Sequence, residues 1–468
     1  MKNIEDTIAA IATPPGEGGI GIIRISGERA KEILEALFSA EKIVPRKLSY
    51  GFIQDPETKE VVDEVMAVYM PAPGTYTKED VAEINCHGGS ISLSKTLSLV
   101  LKQGARMAEP GEFTKRAFLN GRIDLAQAEA VLDVINSKSE ASLEAAIHQL
   151  QGKFSKEVTS IRNKLIDVLV NVDVNIDYPD EDIEEITYKK LEEGLGEIKG
   201  EIKELLESAT TGKILREGIK VAIIGKPNAG KSSLLNLLLK ESRAIVTDIP
   251  GTTRDTIQEF ANIRGIPVLL TDTAGIRDTS DEIEKIGIER SKRSLEDADI
   301  AILMIDLSED FDQEVRDLIS ECDPQSTILV FNKADKEAKI TEEEKEKIRT
   351  SGGKEGDSTF AEVVTVSLTE GQGVKDVEKA IFDLSGYGNL KGRSDKGGAL
   401  VTNVRHKDML ENAAKSIEDA ISQVRISAPL EIVEIDVRSA YESLGLITGD
   451  SVQGDIIQEI FSRFCLGK

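Results

Sequence analysis

Gly225-Lys226-Pro227-Asn228-Ala229-Gly230-Lys231-Ser232 matches the pattern GxxxxGK[ST], and it stands between a β-type run at 219–224 and a helix-forming stretch. In that setting the glycines let backbone N–H groups approach phosphate oxygens, Lys231 reaches the β- and γ-phosphates, and the Ser232 hydroxyl can ligate magnesium. A bare glycine turn carries similar letters. The strand before it and the helix behind it separate the two readings.

Working outward, β-type runs at 268–270, 300–305, 327–331 and 363–366 alternate with helical patterns, which predicts a mostly parallel sheet covered by helices. Three further motifs fall on this framework in a fixed order. Gly251-Thr252-Thr253-Arg254-Asp255 is placed as a switch loop with one threonine on magnesium. Asp272-Thr273-Ala274-Gly275 follows the next strand, where the carboxylate can hold magnesium through water and the glycine N–H can sense the γ-phosphate. Asn332-Lys333-Ala334-Asp335 ends a further strand, and the Asp335 carboxylate can accept from guanine N1–H and N2–H, donors that adenine lacks. Ser367-Leu368 is expected to complete the base pocket through backbone amides. A GTP hydrolase acting on a phosphoric anhydride is the expected activity. Gly275 is followed by Ile276, not by a water-orienting glutamine, so another group must perform that task. The acids in 278–289, Glu284 among them, are candidates, and a solvated switch helix is the alternative reading of the same run.

The chain around this segment is long. Its 468 residues imply two to four domains, and a composition of 40% hydrophobic and 30% charged residues is that of a globular protein. A net charge of -26 argues against non-specific coating of nucleic acid, so any RNA contact should be local or borrowed from a partner. Cys86, Cys322 and Cys465 form neither a disulfide framework nor a zinc knuckle, no apolar stretch is long enough for a membrane span, and Glu5 and Asp6 stand where a secretory signal would carry positive charge. A cytoplasmic protein is expected. Residues 1–121 read as an α+β domain, 122–214 as the first part of a helical domain, 215–386 as the inserted GTPase domain and 387–468 as the second helical part. The two helical parts are expected to pack as one bundle, giving a multidomain α/β plus all-α architecture. In Cys86-His87-Gly88-Gly89, adjacent residues on a strand point to opposite faces, so a structural role is favoured over a nucleophile–base pair. His148 and His406 read as ordinary helix residues.

Asp6-Thr7-Ile8-Ala9, Gly21-Ile22-Ile23-Arg24-Ile25-Ser26-Gly27, Pro110-Gly111-Glu112-Phe113-Thr114, the GTPase insert and terminal Phe464-Cys465-Leu466-Gly467-Lys468 occur in an order that resembles the MnmE (TrmE) family of tRNA-modifying GTPases. The likeness covers essentially the whole chain. It implies a homodimer that joins an MnmG (GidA)-type flavoprotein carrying FAD in a heterotetramer, acts on tRNA, and installs a carboxymethylaminomethyl-type group at C5 of the wobble uridine. A 5,10-methylene- or 5-formyl-tetrahydrofolate would supply the one-carbon unit in the amino-terminal domain, with Arg24, Glu83, Arg122 and Lys468 at the matching positions.

In the GTPase domain the resemblance implies GTP contacts from Asn228, Ala229, Gly230, Lys231, Ser232 and Ser233, from Thr247, Asp248, Ile249, Pro250, Gly251 and Thr252, and from Asp272, Thr273, Ala274 and Gly275. Mg2+ would rest on Ser232 and Thr253, and K+ on Asn228, Thr247, Ile249 and Thr252, supplying positive charge beside the phosphates. Glu284 aligns with the family's water-orienting glutamate, and the motif places Cys465 in the modification chemistry, against a reading as a buried small hydrophobe. Three departures from the family pattern are Lys78 where glycine is common, Pro250 before the switch loop, and Leu368 in place of alanine. The competing functional class is a regulatory GTPase switch in ribosome or RNA processing, which would leave Cys465 and the folate positions idle.

Overall fold

A computed structural model describes residues 6–40, 42–177, 188–241, 258–272, 295, 297–352, 358–388, 399–450, 454–465 and 467–468. The chain divides into two compact units, 1–132 with 444–468, and 133–443.

In the first unit, β1 (Ile8–Ile11), β2 (Gly18–Ser26), β3 (Ser49–Gln54), β4 (Val61–Met70), β5 (Val81–Gly88) and β6 (Arg106–Met107) form a sheet in the order β3-β4-β5-β2-β1-β6. The pairs are antiparallel except β1 with β6. Helices α1 (Ala30–Leu37) and α2 (Ser90–Lys102) bury apolar positions at helical spacing, and Ile33, Leu34, Leu37, Leu93, Leu97 and Val100 share a core with Ile23, Ile25, Ala82 and Ile84 of the strands. Helix α3 (Glu112–Leu119), the start of α4 (Leu125–Asn136) and α14 (Gly454–Ser462) enclose a smaller core of Ala117, Leu125, Ala128, Phe461 and Phe464.

A network of ions surrounds the start of α3. Arg106 pairs with Glu112 at 2.7 Å and with Asp6 at 2.8 Å, while Arg116 pairs with Asp6 at 2.5 Å and with Glu79 at 3.1 Å. Burial opposes the Glu112 charge, yet hydrogen bonds from Arg106 and the Glu109 amide hold its carboxyl below the usual range. Glu112 of the Pro-Gly-Glu-Phe-Thr stretch thus ties α3 to the end of the sheet.

In the second unit α5 (Glu140–Leu150), α6 (Lys153–Asp177) and the 30-residue α7 (Tyr188–Glu217) precede β7 (Ile219–Gly225). Then follow α8 (Lys231–Glu241), β8 (Gln258–Ile263), β9 (Ile266–Asp272), β10 (Ile300–Asp306), α9 (Gln313–Glu321), β11 (Thr327–Asn332), α10 (Glu342–Arg349), β12 (Glu362–Thr365) and α11 (Val374–Leu384). The strand order is β12-β11-β10-β7-β9-β8, parallel except for the β8–β9 hairpin, whose turn residues Arg264 and Gly265 both have positive φ. Every residue of β10 and β11 is buried, as expected of central strands covered on both faces.

The chain returns to helices in α12 (Val404–Arg425) and α13 (Leu430–Thr448). Leu191, Leu195, Ile198, Ile202 and Leu205 form the buried stripe of α7, and Leu410, Ala413, Ile417, Ile421 and Val424 form that of α12, which packs beside it. Helices from either side of the insert therefore lie together. The returning backbone is clamped as well: Val401 N donates to Ser208 Oγ at 3.0 Å, and the Thr402 hydroxyl donates to Gln149 Oε1 at 2.8 Å. Gly212 admits this segment, because a Cβ there would run into the Val401 carbonyl.

Candidate functional site

The phosphate loop leaves the carboxyl end of β7, which β9 and β10 flank in parallel register, and delivers the chain to the first turn of α8. Gly225 (φ 147), Asn228 (φ 63) and Gly230 (φ 106) all adopt positive φ, the left-handed positions at which such a loop curls. A side chain on Gly230 would strike the Asn332 amide, and glycine lets the two loops meet. Lys231 is buried, and its ammonium donates to the carbonyls of Gly225 at 2.7 Å and Lys226 at 2.8 Å across the mouth of the loop.

The loop after β11 is fastened to this one. Asn332 donates through Nδ2 to Ala229 O at 2.8 Å and accepts from the Lys333 amide at 2.7 Å. Lys333, at φ 64, forms an ion pair with Asp306 at the end of β10. Asp335 remains exposed while its carboxylate accepts from Ser367 Oγ at 2.7 Å and from Thr369 Oγ1 at 3.2 Å. The Ser367 bond, first, and the backbone hold its carboxyl below the usual range, keeping it ionised. The Ser367 amide donates to Gln372 O at 3.1 Å, so Ser367 contributes its hydroxyl to this corner and not its amide. Leu368 packs on the core near Gly230.

A second grouping lies in the first unit. Arg24 and Glu83 are directly opposite on β2 and β5, with Arg24 Nε donating to Glu83 Oε1 at 2.9 Å. The Arg24 guanidinium also lies 5.7 Å from the Tyr76 ring center and 5.6 Å from that of Phe113, and Arg122 stacks on Tyr76 at 4.5 Å. The chain terminus joins them: Phe113 N donates to Lys468 O at 3.1 Å, Gly111 N to Cys465 O at 3.4 Å, and Arg24 Nη1 to Gly467 O at 3.4 Å. Gly467 has φ 89, and a Cβ there would collide with the Ile11 carbonyl, so the final turn presses its backbone against β1.

Comparison with known proteins decides what these pieces belong to. The profile of the MnmE helical domain matches residues 125–465, and that of the GTP-binding protein TrmE N-terminus matches 7–122. The tRNA modification GTPases MnmE of Alkaliphilus oremlandii and Clostridioides difficile are each 49% identical to this chain over 471 residues, covering 99% of it and all of either protein. That of Alkaliphilus metalliredigens is 48% identical over the same length, with the same coverage. The chain belongs to the MnmE (TrmE) family.

Within this MnmE-family chain the structure brings Asn228, Ala229, Gly230 and Lys231 together with Asn332, Lys333, Asp335, Ser367 and Leu368, while Ser232 and Ser233 open α8. Arg24, Glu83, Arg122 and Lys468 also gather in one place. Thr247, Asp248, Ile249, Pro250, Gly251, Thr252 and Thr253 lie outside the described residues, as do Thr273, Ala274, Gly275 and Glu284; Asp272 is described by its backbone alone, at the end of β9. Cys465 is exposed, which removes the reading as a buried hydrophobe. Cys86 is buried while His87 is exposed and bonds Asp63, so the two occupy opposite faces as the alternation predicts. His406 is wholly buried in α12 and stacks on Phe154. Lys78 adopts φ 60, a conformation that favours glycine, and its ammonium is held by Gly121 O at 2.9 Å.

Sequence reasoning passed over Tyr76, the ring on which Arg122 stacks and which Arg24 flanks. No motif announces it. A lone tyrosine after a Pro-Gly turn gives no signal until the arginines on β2 and after α3 are folded beside it.

Proposed function

We propose that this chain hydrolyses GTP in tRNA modification and, with an MnmG (GidA)-type flavoprotein, installs a carboxymethylaminomethyl-type group at C5 of the wobble uridine, position 34, of certain tRNAs. The observation that carries the GTP part is the joining of phosphate and base loops through Asn332 and Ala229, with Asp335 held ionised to accept from guanine. Lys231 and the loop amides would offset phosphate charge, and Ser232, in the first turn of α8, would hold Mg2+, which would neutralise charge developing on the transferring phosphoryl. Asn228, with Thr247, Ile249 and Thr252, would hold K+, and Glu284 would orient the attacking water.

The cluster in the first unit suits a reduced folate. Glu83 can accept from a pterin edge, Tyr76 and the guanidiniums offer flat faces, and Arg24, Arg122 and Lys468 suit a glutamate tail. A bound tetrahydrofolate would supply a one-carbon unit. The side chains of this chain would orient it, and Cys465 would stand at the same terminus. We read the four segments 1–121, 122–214, 215–386 and 387–468 as folate-binding and dimerising, helical, GTP-hydrolysing and helical parts of a cytoplasmic homodimer. Among the described residues no helix is long and apolar enough to cross a membrane.

The deciding test is mass spectrometry of tRNA nucleosides from cells lacking the protein, complemented by the intact chain or by Cys465→Ser. Loss of the modified wobble uridine, restored by the intact chain alone, is expected; unchanged uridines in the deletion would favour a regulatory switch without modification chemistry. GTP turnover should be much faster in KCl than in NaCl at equal ionic strength, and equal rates would remove potassium from the mechanism.

A further inference from the structure

Lys226, second in the phosphate loop, is held at both ends. Its carbonyl accepts from Lys231 Nζ at 2.8 Å and from the Ala229 amide at 3.3 Å, so this oxygen helps orient the phosphate-binding lysine. Pro227 follows it and keeps Lys226 out of the helical region, which limits where that carbonyl can point. The ammonium reaches away from the loop to Asp312 Oδ2 at 2.5 Å, with Glu314 Oε2 at 3.5 Å. Asp312 is the N-cap of α9, its other oxygen accepting from Val315 N at 3.2 Å, so the acid is itself fixed.

The segment between β10 and α9 therefore reaches both nucleotide loops. Its first residue, Asp306, is paired with Lys333 of the base loop, and its last, Asp312, with Lys226 of the phosphate loop. The Lys226 side chain is 21% exposed and that of Asp312 45%, so solvent screens much of the pair's attraction.

We propose that Lys226 is a positioning residue for GTP, and that its ion pair with Asp312 makes the 306–312 segment a brace that sets the spacing of the phosphate and base loops. The proposal rests on the GTP-site reading and adds residues outside the nucleotide's own contact shell. Breaking the brace lets the phosphate loop relax and so shortens nucleotide residence. It leaves the hydrolytic groups in place.

Release of a fluorescent GDP analogue and steady-state GTP turnover should be measured on the full chain for wild type, Lys226→Met, Lys226→Arg, Asp312→Asn and the Lys226→Met/Asp312→Asn double variant. Met keeps the aliphatic stem, and Asn keeps an oxygen for the α9 cap. Each charge-removing single variant should release nucleotide about twofold to fivefold faster, the scale of a solvent-screened ion pair, with KM for GTP raised in step and kcat little changed. The double variant should match the singles, because both remove one interaction, and Lys226→Arg should restore slow release. Wild-type release rates in the singles, additive effects in the double variant, or a fall in kcat with KM unchanged would each overturn the brace. Failure of the wild-type chain to bind the analogue would instead remove the GTP site itself, and the brace with it.

Discussion

Asn332 donates its side-chain amide to the carbonyl of Ala229 across 2.8 Å, joining the loop after β11 to the phosphate loop after β7. Asn332 is 3% exposed, so loss of the amide leaves a buried carbonyl without this donor. Asn332→Ala should weaken GTP and GDP alike by about 1–3 kcal/mol, measured by titration calorimetry. Unchanged affinity would mean that each loop holds its own shape.

Asp335 accepts from two hydroxyls and stays exposed toward a ligand edge. Asp335→Asn replaces one acceptor with a donor, so the guanine N–H groups lose a partner and a base with a carbonyl at that edge gains one. GTP turnover should fall at least tenfold, the scale of about 1.4 kcal/mol or more for a lost charge-assisted bond. Xanthosine triphosphate should become the better substrate in direct competition. Continued preference for GTP would place the base elsewhere.

Asp306 is 4% exposed at its side chain and paired with Lys333. Burial opposes its charge, but Lys333 and then Ser308 hold its carboxyl below the ordinary 3.8. The unfolded chain therefore takes up this proton first on acidification, so the pair's stabilisation is fully present above pH 3.8 and is lost as pH falls through the lower folded value. Asp306→Asn should cost about 3 kcal/mol near neutrality, a deficit that shrinks below pH 3.8 in acid-unfolding curves. A deficit independent of pH would show that packing, not charge, sets the role of this residue.

The three cysteines should separate by reactivity. Burial pushes the Cys86 and Cys322 thiols up to about 12, whereas Cys465 is exposed. Iodoacetamide at neutral pH should label the native chain at Cys465 alone and the denatured chain at all three, as read by peptide mass spectrometry. Rapid native labelling of Cys86 would mean that β5 opens readily.

The GTP-binding part was readable because phosphate chemistry leaves few alternatives: a strand, positive-φ loop positions and a lysine at fixed spacing announce themselves in order. The parallel sheet followed from the alternation of its runs. The β8 strand, Gln258–Ile263, was not among the runs read from the sequence, and the Arg264-Gly265 turn behind it lacks the Asn-Gly or Asp-Gly letters of a hairpin signal. Bonds across long separations were not readable. Nothing near Arg116 in sequence points to Asp6, 110 residues away, and the terminal Cys-x-Gly-Lys stretch does not reveal that Gly111 and Phe113 hold its backbone. The Ser367 hydroxyl was missed for a related reason, because its amide is taken by Gln372 only once the turn after β12 closes.

Helix α7 and strand β7 meet at one residue, Gly218, with φ 81. A helix of 30 residues is about 45 Å long, and its last turn, through Leu215, shares a core with the strand that carries the phosphate loop. The two elements are thus joined through a single left-handed glycine: a tilt of roughly 10° there would sweep the Tyr188 end through about 8 Å. A probe placed beside Tyr188 would read any such tilt amplified by the length of the helix.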